Sequence, residues 1–221
     1  MELADPRPGE VALDYGCGAG QVSFGVAPLV DHVDAFDRDQ DVLREAERLR
    51  DEFRLENITF AAADLPALPA AAAGYDLVLA RNALHALAEP ERALAEMRRV
   101  LRPGGRMVLY EAVVDNANDR YLNELARLRE RSHWRYHSAA EYEAFFRSAG
   151  LRELERTRIK RTYDLQSWAR GSLEPEADVE LIESRLRGYP VLAQLALDVV
   201  YSDTSISFAY DVLVVRLVPM D

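Results

Sequence analysis

The chain holds one cysteine in 221 residues, Cys17, which excludes an intrachain disulfide and any metal centre built from several thiolates. A reducing cytoplasm is the expected setting, and no metal site is expected. Lysine is almost missing as well, with Lys160 the single example, and acids exceed bases to a formal net charge of -11. Surfaces that track nucleic-acid phosphates draw affinity from clustered Lys and Arg, so DNA and RNA are not expected partners. The arginines are interspersed with acids along stretches such as Asp41 to Arg54, the pattern of a solvated helix face. No stretch reaches the roughly 18 apolar residues of a membrane span. The opening MELADPRPGE lacks the basic-then-apolar pattern of an export signal.

What is present suits one globular domain, since 49% of residues are hydrophobic and 29% charged, neither of them a disordered composition. Glu10 to Tyr15 reads as a short apolar strand that stops at glycines, and Val22 to Leu29 resumes as a helix. His32 to Asp37 reads as a second strand, followed by a helix over Asp39 to Leu55 whose Val42, Leu43, Ala46 and Leu49 keep helical spacing. Asn57 to Ala63 and Tyr75 to Ala80 predict two more strands, the latter near-continuously apolar, as a strand covered on both faces should be. Glu89 to Leu101 predicts a helix, Arg102 to Gly105 a turn, and Arg106 to Val113 a fifth strand. This alternation predicts a doubly wound α/β sheet, mostly parallel, with ligands at its carboxyl edge. Beyond Val114 the reading changes to helices at Asn118 to Arg131, Ser138 to Ala149 and Glu174 to Val200, with strands at Leu151 to Tyr163 and Ser205 to Val218. The strands are expected to add antiparallel to the sheet edge, and the helices to cap the cleft.

Asp14-Tyr15-Gly16-Cys17-Gly18-Ala19-Gly20 places an acid and three glycines between strand and helix, where a backbone bends tightly against a ligand. The dinucleotide fingerprint needs its last glycine one place later, where this chain has Gln21, which counts against a nicotinamide-dependent oxidoreductase. Two acids end the next strands. Each is weighed as an N-cap or loop acid against a ligand role: Asp37 as acceptor of both hydroxyls of a ribose, a contact costing roughly 1.5–3 kcal/mol to lose, and Asp64 within reach of an adenine on the same edge.

With these residues the chain resembles the class I S-adenosylmethionine-dependent methyltransferases, and among them the methyltransferase type 11 branch that includes the ubiquinone and menaquinone biosynthesis enzymes. The resemblance covers roughly Pro8 to Leu151 and rests on LDYGCGAG, AFDRD, AAADLPALP, YDLVLARNALHAL and MRRVLRPGGRMVLYE. It implies a Rossmann-like sheet of seven strands in one domain over 1–221, with a cofactor-binding core in 1–114 and cap helices and last strands in 115–221. It implies S-adenosylmethionine as cofactor. Asp14, Gly16, Gly18 and Gly20 would hold its methionine part, Asp37 its ribose, and Asp64 with Leu65 its adenine. Arg81 and Asn82 would line the floor near the sulfonium. The stretch YLNELARLRERSHWRYHSAAEYEAFFRSAGL is similar to a subgroup whose substrate is generally unassigned. Relatives carry one or two helices before the first glycine motif, whereas about nine residues precede it here, so the expectation is either a shortened form with weaker cofactor binding, or cover from Asn118 to Arg131 or from another subunit of a homodimer.

A sulfonium methyl is intrinsically electrophilic, so such a protein need mainly align a nucleophile and exclude water. If the acceptor must lose a proton, His85 is the first candidate base and His133 the second, each weighed against a purely structural role; His137 and His32 rank below them. Cys17 is expected to pack, and with one cysteine arsenite is not an expected acceptor. Tyr15, Tyr110, Tyr121 and Trp134 are more readily core residues than partners of the sulfonium. The expected function is methyl transfer to an unidentified small molecule, with a cofactor-binding protein that lacks turnover as the alternative.

Overall fold

A computed structural model describes residues 2–171 and 178–220. The chain alternates strand and helix through β1 (Val11–Tyr15), α1 (Gln21–Val26), β2 (His32–Asp37), α2 (Gln40–Phe53), β3 (Ile58–Ala62), β4 (Tyr75–Arg81), α3 (Pro90–Val100) and β5 (Leu101–Val114). It continues through α4 (Asp119–Arg129), β6 (His137–Ser138), α5 (Ala139–Ser148), β7 (Leu151–Asp164), α6 (Leu165–Arg170), α7 (Val179–Arg187), α8 (Val191–Ala196), β8 (Val200–Tyr201) and β9 (Ile206–Pro219). Seven strands run in the order β3-β2-β1-β4-β5-β9-β7, and the two-residue β6 and β8 attach to β5 and β9. β3 to β5 are parallel neighbours, and β9 pairs antiparallel with both β5 and β7. The expected architecture is present, a Rossmann-like parallel sheet with an antiparallel edge.

Side-chain alternation sorts the sheet into two layers. Val26, Leu43 and Ala46 of α1 and α2 pack on Ala12, Val33 and Leu77, while Leu94, Met97, Tyr142 and Phe146 of α3 and α5 cover Val78, Leu109 and Leu213 on the other face. Beyond β5 a second apolar cluster joins Leu122, Leu125, Trp168 and Ile182 to Phe208 and Val212 of β9, which seats α4, α6 and α7 on the sheet as a cap. The caps of the helices follow local chemistry. Asp39 accepts the amides of Asp41 and Val42 to start α2, and Ser138 with Glu141 forms a reciprocal capping box on α5.

Three details depart from the sequence reading. The expected helix from Glu174 to Val200 is two helices: Gly188 caps α7, and Pro190, which has no amide to donate into a continuous helix, precedes α8. The first residues of that expected segment lie outside the described residues. Arg102 to Gly105 is an excursion inside β5, because Tyr75 pairs with Leu101 and Leu77 already with Arg106. α6 was not foreseen; the Asp164 side chain accepts the Ser167 amide and starts it at the end of β7. No helix among the described residues is long and apolar enough to cross a membrane.

The cap is fastened by Asn123, a buried α4 residue. Its Oδ1 accepts the Tyr136 amide at 2.7 Å and lies 2.9 Å from His133 Nε2, while its Nδ2 donates to Asp119 at 2.7 Å. Alanine at 123 leaves these buried groups unsatisfied, so Asn123→Ala is expected to cost about 2 kcal/mol or more. That corresponds to a fall of roughly 4–8 °C in melting temperature. Thermal denaturation followed by circular dichroism checks this, and an unchanged midpoint contradicts it.

Candidate active site

The glycine loop follows β1. The amides of Gly16 and Cys17 both donate to the Phe36 carbonyl, at 2.8 and 3.1 Å, which pulls the chain across the end of β2. Gly16 has φ 70, and a Cβ there would stand 2.8 Å from the Ala83 Cβ. Gly20 has φ 84, and its Cβ would meet the rings of Phe24 and Phe60 at 2.7 and 2.9 Å. Both positions therefore exclude side chains twice over, by backbone conformation and by space. Asp14 is fully buried beneath the loop; the Ser23 hydroxyl donates to it at 2.6 Å, and its other oxygen has no hydrogen-bond partner among the described residues. Burial pushes this carboxyl up to about 6 in spite of the Ser23 bonds.

Asp37 ends β2 and ties the loop to the sheet. One oxygen accepts the Gly18 amide at 2.8 Å and the other the Asp39 amide at 3.0 Å. Asp64 is exposed just past β3, and Leu65 beside it is buried, with its carbonyl accepting the Tyr15 hydroxyl at 2.7 Å. Asp64 and Leu65, with Arg38, Leu87, Ser132 and Trp134, border a cleft of about 410 Å³. Arg81 and Asn82 stand at the end of β4: Arg81 Nη1 donates to Gln21 Oε1 at 2.9 Å and its guanidinium lies over the Tyr110 ring, while Asn82, at φ 52, donates its amide to the Tyr110 carbonyl. The glycine loop, Asp37, Asp64, Leu65, Arg81 and Asn82 thus come together along the carboxyl ends of β1 to β4. Asp14 stays below, as the brace of α1.

His85 and His133 lie deeper, at 4% and 6% exposure. His85 Nδ1 is 3.7 Å from Glu111 Oε2 and its Nε2 is 3.6 Å from Glu130 Oε1, ion-pair separations longer than a hydrogen bond. Burial lowers His85, but the two carboxylates outweigh it and hold the imidazole up to about 9. Glu130 is drawn down to about 2 because its contacts with His85, Ser132 and Arg129 overcome burial. His133, buried beside the His85 charge, is pushed down to about 3 and stays neutral. Glu111 also accepts the amides of Ala83 and Leu84, at 2.8 and 3.0 Å, and so fixes the turn that carries Asn82 and His85. Glu111, Glu130, Asn123 and Ser23 were not singled out from sequence. One signal existed: Glu111 is a lone acid inside the apolar run VLYEAVV.

Trp134, expected in the core, is instead exposed at the cleft, where it follows the cap segment out of the apolar cluster; the other candidates are structural. Cys17 packs in the loop with its thiol pushed up by burial. The Tyr121 ring packs at a tilt against Tyr189, centroids 4.8 Å apart, and His137 is buried against Tyr142 and Phe145. His32 sits between Asp34 and Thr59 at 3.2 Å from each. Residues 2–4 are held by Arg106 and Arg216, which donate to the Ala4 and Leu3 carbonyls, and on the cap side Ser132 and Trp134 border the cleft. A larger groove of about 730 Å³, bordered by Arg98, Arg99, Arg102 and Arg152, lies at the amino end of β5, away from the glycine loop.

Comparison with known proteins aligns with this geometry. A family model described as a methyltransferase domain matches residues 6–155. The uncharacterized methyltransferase YcgJ of Bacillus subtilis (strain 168) is 28% identical over 187 residues, covering 82% of this chain and 73% of that one. The ubiquinone/menaquinone biosynthesis C-methyltransferase UbiE of Acidiphilium cryptum (strain JF-5) is 36% identical over 117 residues, covering 50% of this chain but only 45% of its own length. In three dimensions the crystal structure of the B. subtilis YcgJ protein superposes with a TM-score of 0.85 at 25% identity, over 100% of this chain and 96% of that one. A crystal structure of a putative methyltransferase (BH2331) from Bacillus halodurans C-125 shares the fold at a TM-score of 0.86 and 24% identity, over 98% and 95% of the two chains.

The buried Asp14 has a signature in solution. Its carboxyl rises from 3.8 to about 6 on folding, so the folded state holds the extra proton and stability falls as pH climbs from near 4 through 6. At about 1.4 kcal/mol per unit, this single group removes on the order of 2–3 kcal/mol by pH 7.5. Relative to the parent, Asp14→Asn is expected to lose less stability between pH 4.5 and 7.5 in urea denaturation. Identical pH dependence in the two proteins would contradict the assignment.

Proposed function

The chain belongs to the methyltransferase domain family, and on that premise we propose that the cleft along β1 to β4 binds S-adenosylmethionine for methyl transfer to a small-molecule acceptor. The observation that carries this reading is the pinning of the glycine loop by Asp37. A carboxylate offers about four acceptor positions, and the amides of Gly18 and Asp39 use two, which leaves one on each oxygen for the two hydroxyls of a ribose. At Gly16 the absence of a Cβ lets the backbone approach Ala83, and it keeps the loop surface clear for a bound methionine chain. The cleft beside Asp64 and Leu65 offers a hydrogen-bonding carboxylate and an apolar surface, the pairing that an adenine needs.

In this reading Gly16, Gly18 and Gly20 hold the methionine portion, Asp37 the ribose, Asp64 with Leu65 the adenine, and Arg81 with Asn82 the floor. Asp14 acts one layer below, through Ser23 on α1. When bound, the cofactor supplies a methyl group already activated by its sulfonium, so the chain's own task is alignment and exclusion of water. The cytoplasm suits a protein whose one cysteine is buried and unpaired.

Asp37→Ala removes the ribose acceptor and the Gly18 anchor together, and it is expected to weaken S-adenosylmethionine by about tenfold or more. Asp37→Asn, which keeps one acceptor oxygen, should fall between. Calorimetric titration of variants with native circular dichroism reads both, and unchanged affinity in Asp37→Ala overturns the ribose assignment.

A further inference from the structure

We infer that His85, Glu111 and Glu130 form a positioning latch that holds the chain segment after α4 as a wall of the cofactor cleft. The inference rests on the cleft assignment made above. The three residues come from separate parts of the fold: His85 from the turn after β4, Glu111 from the middle of β5, and Glu130 from the first position beyond α4. The segment grips His85 at two places. Glu130 faces its ring at 3.6 Å, and the amides of Trp134 and Arg135 donate to its carbonyl at 2.8 and 2.9 Å. The same segment presents Ser132 and Trp134 to the cleft, opposite Asp64 and Leu65, while Ala86 and Leu87, next to His85, line it from the core. A change at the His85 ring is therefore transmitted to both sides of the cleft by neighbours in the chain.

The charges explain why the latch holds. A buried carboxylate with no counter-charge costs several kcal/mol, and Glu111 is 1% exposed with Oε2 aimed at His85. Every element packed around it bears on the outcome. Arg129 stands 3.8 Å from Glu130, so the set Glu111, His85, Glu130, Arg129 sums to neutral. His133 and Tyr136, with ring centroids 5.3 Å from that of His85, are uncharged at neutral pH: burial lowers His133 and raises the Tyr136 hydroxyl. Tyr142 on α5 and His137 on β6 face Glu111, and burial keeps both neutral as well. His85 therefore carries the balancing positive charge. A protonated imidazole has no lone pair with which to take a proton from an acceptor, which gives His85 a positioning role in place of a base. Because its value rises from 6.5 to about 9 on folding, the latch is complete below pH 6.5 and loosens as pH rises through 9.

Glu130→Gln keeps the shape of the side chain and removes its charge, so it tests the latch without emptying the core. Two readouts are taken on native protein: amide hydrogen exchange of residues 130–137 without ligand, and titration with S-adenosylhomocysteine between pH 6.5 and 9.5. Exchange in the segment is expected to quicken about tenfold and affinity to fall by a similar factor. The pH above which affinity declines, near 9 in the parent, should move lower in the variant. His85→Gln, which retains a neutral polar side chain, should abolish that decline. Unchanged exchange in Glu130→Gln overturns the latch, and faster exchange with unchanged affinity and pH profile overturns its role in positioning the wall. Failure of the unsubstituted protein to bind S-adenosylhomocysteine would strike the cleft assignment instead, and the exchange data would still report on the latch.

Discussion

One close approach organises this molecule: the Ala83 side chain lies where a Cβ at position 16 would have to be, at 2.8 Å. Ala83 is not free to retreat, since its amide and that of Leu84 are both held by the buried Glu111 carboxylate. β1 must therefore be followed by a residue without a side chain, Gly16, where the chain turns at positive φ toward α1. The turn is closed from the other side by Asp37, through the Gly18 amide. Three adjacent strands thus fix a single loop, and that rigidity lowers the ordering cost of the binding proposed for it.

Glu111 links this loop to the cap. With one oxygen it orients the turn after β4, and with the other it faces His85, whose second neighbour is Glu130 of the cap. The glycine-loop side and the cap side of the cleft are therefore joined through a few buried charges, while the bulk of the cap rests on the sheet through an apolar cluster around Leu125, Trp168 and Phe208. Apolar packing sets where the cap sits, and the charged set fixes its edge at the cleft. Such an arrangement suits methyl transfer, which asks the protein to align an acceptor and exclude water more than to supply reactive groups.

The elements written in local pattern could be read from the sequence. The five parallel strands and the glycine loop are encoded in short apolar runs that stop at glycine or at a polar residue, and Asp37, Asp64 and Asn82 stand at or just past strand ends where chain direction alone puts them. Less local features were not legible. Asp14 lies on the loop motif, but its burial under Ser23 depends on how α1 packs. Glu111 is visible as an acid in an apolar strand, yet its partner His85 lies on a different element, and the second carboxylate on that imidazole, Glu130, on a third, so only the folded chain brings them together. Apolar spacing alone makes one helix of Glu174 to Val200, whereas Gly188 ends α7 and Pro190 precedes α8.

Gln21, where a dinucleotide-binding loop would carry glycine, opens α1 and accepts Arg81 from β4, which draws the loop toward the fourth strand. Cofactor choice is thus the central claim, and parallel calorimetric titration of the unsubstituted protein with S-adenosylmethionine, S-adenosylhomocysteine and NADH tests it most directly. Saturable one-to-one binding of the first two with no heat from NADH is the result the structure predicts; binding of NADH alone, or of none of the three, would contradict it.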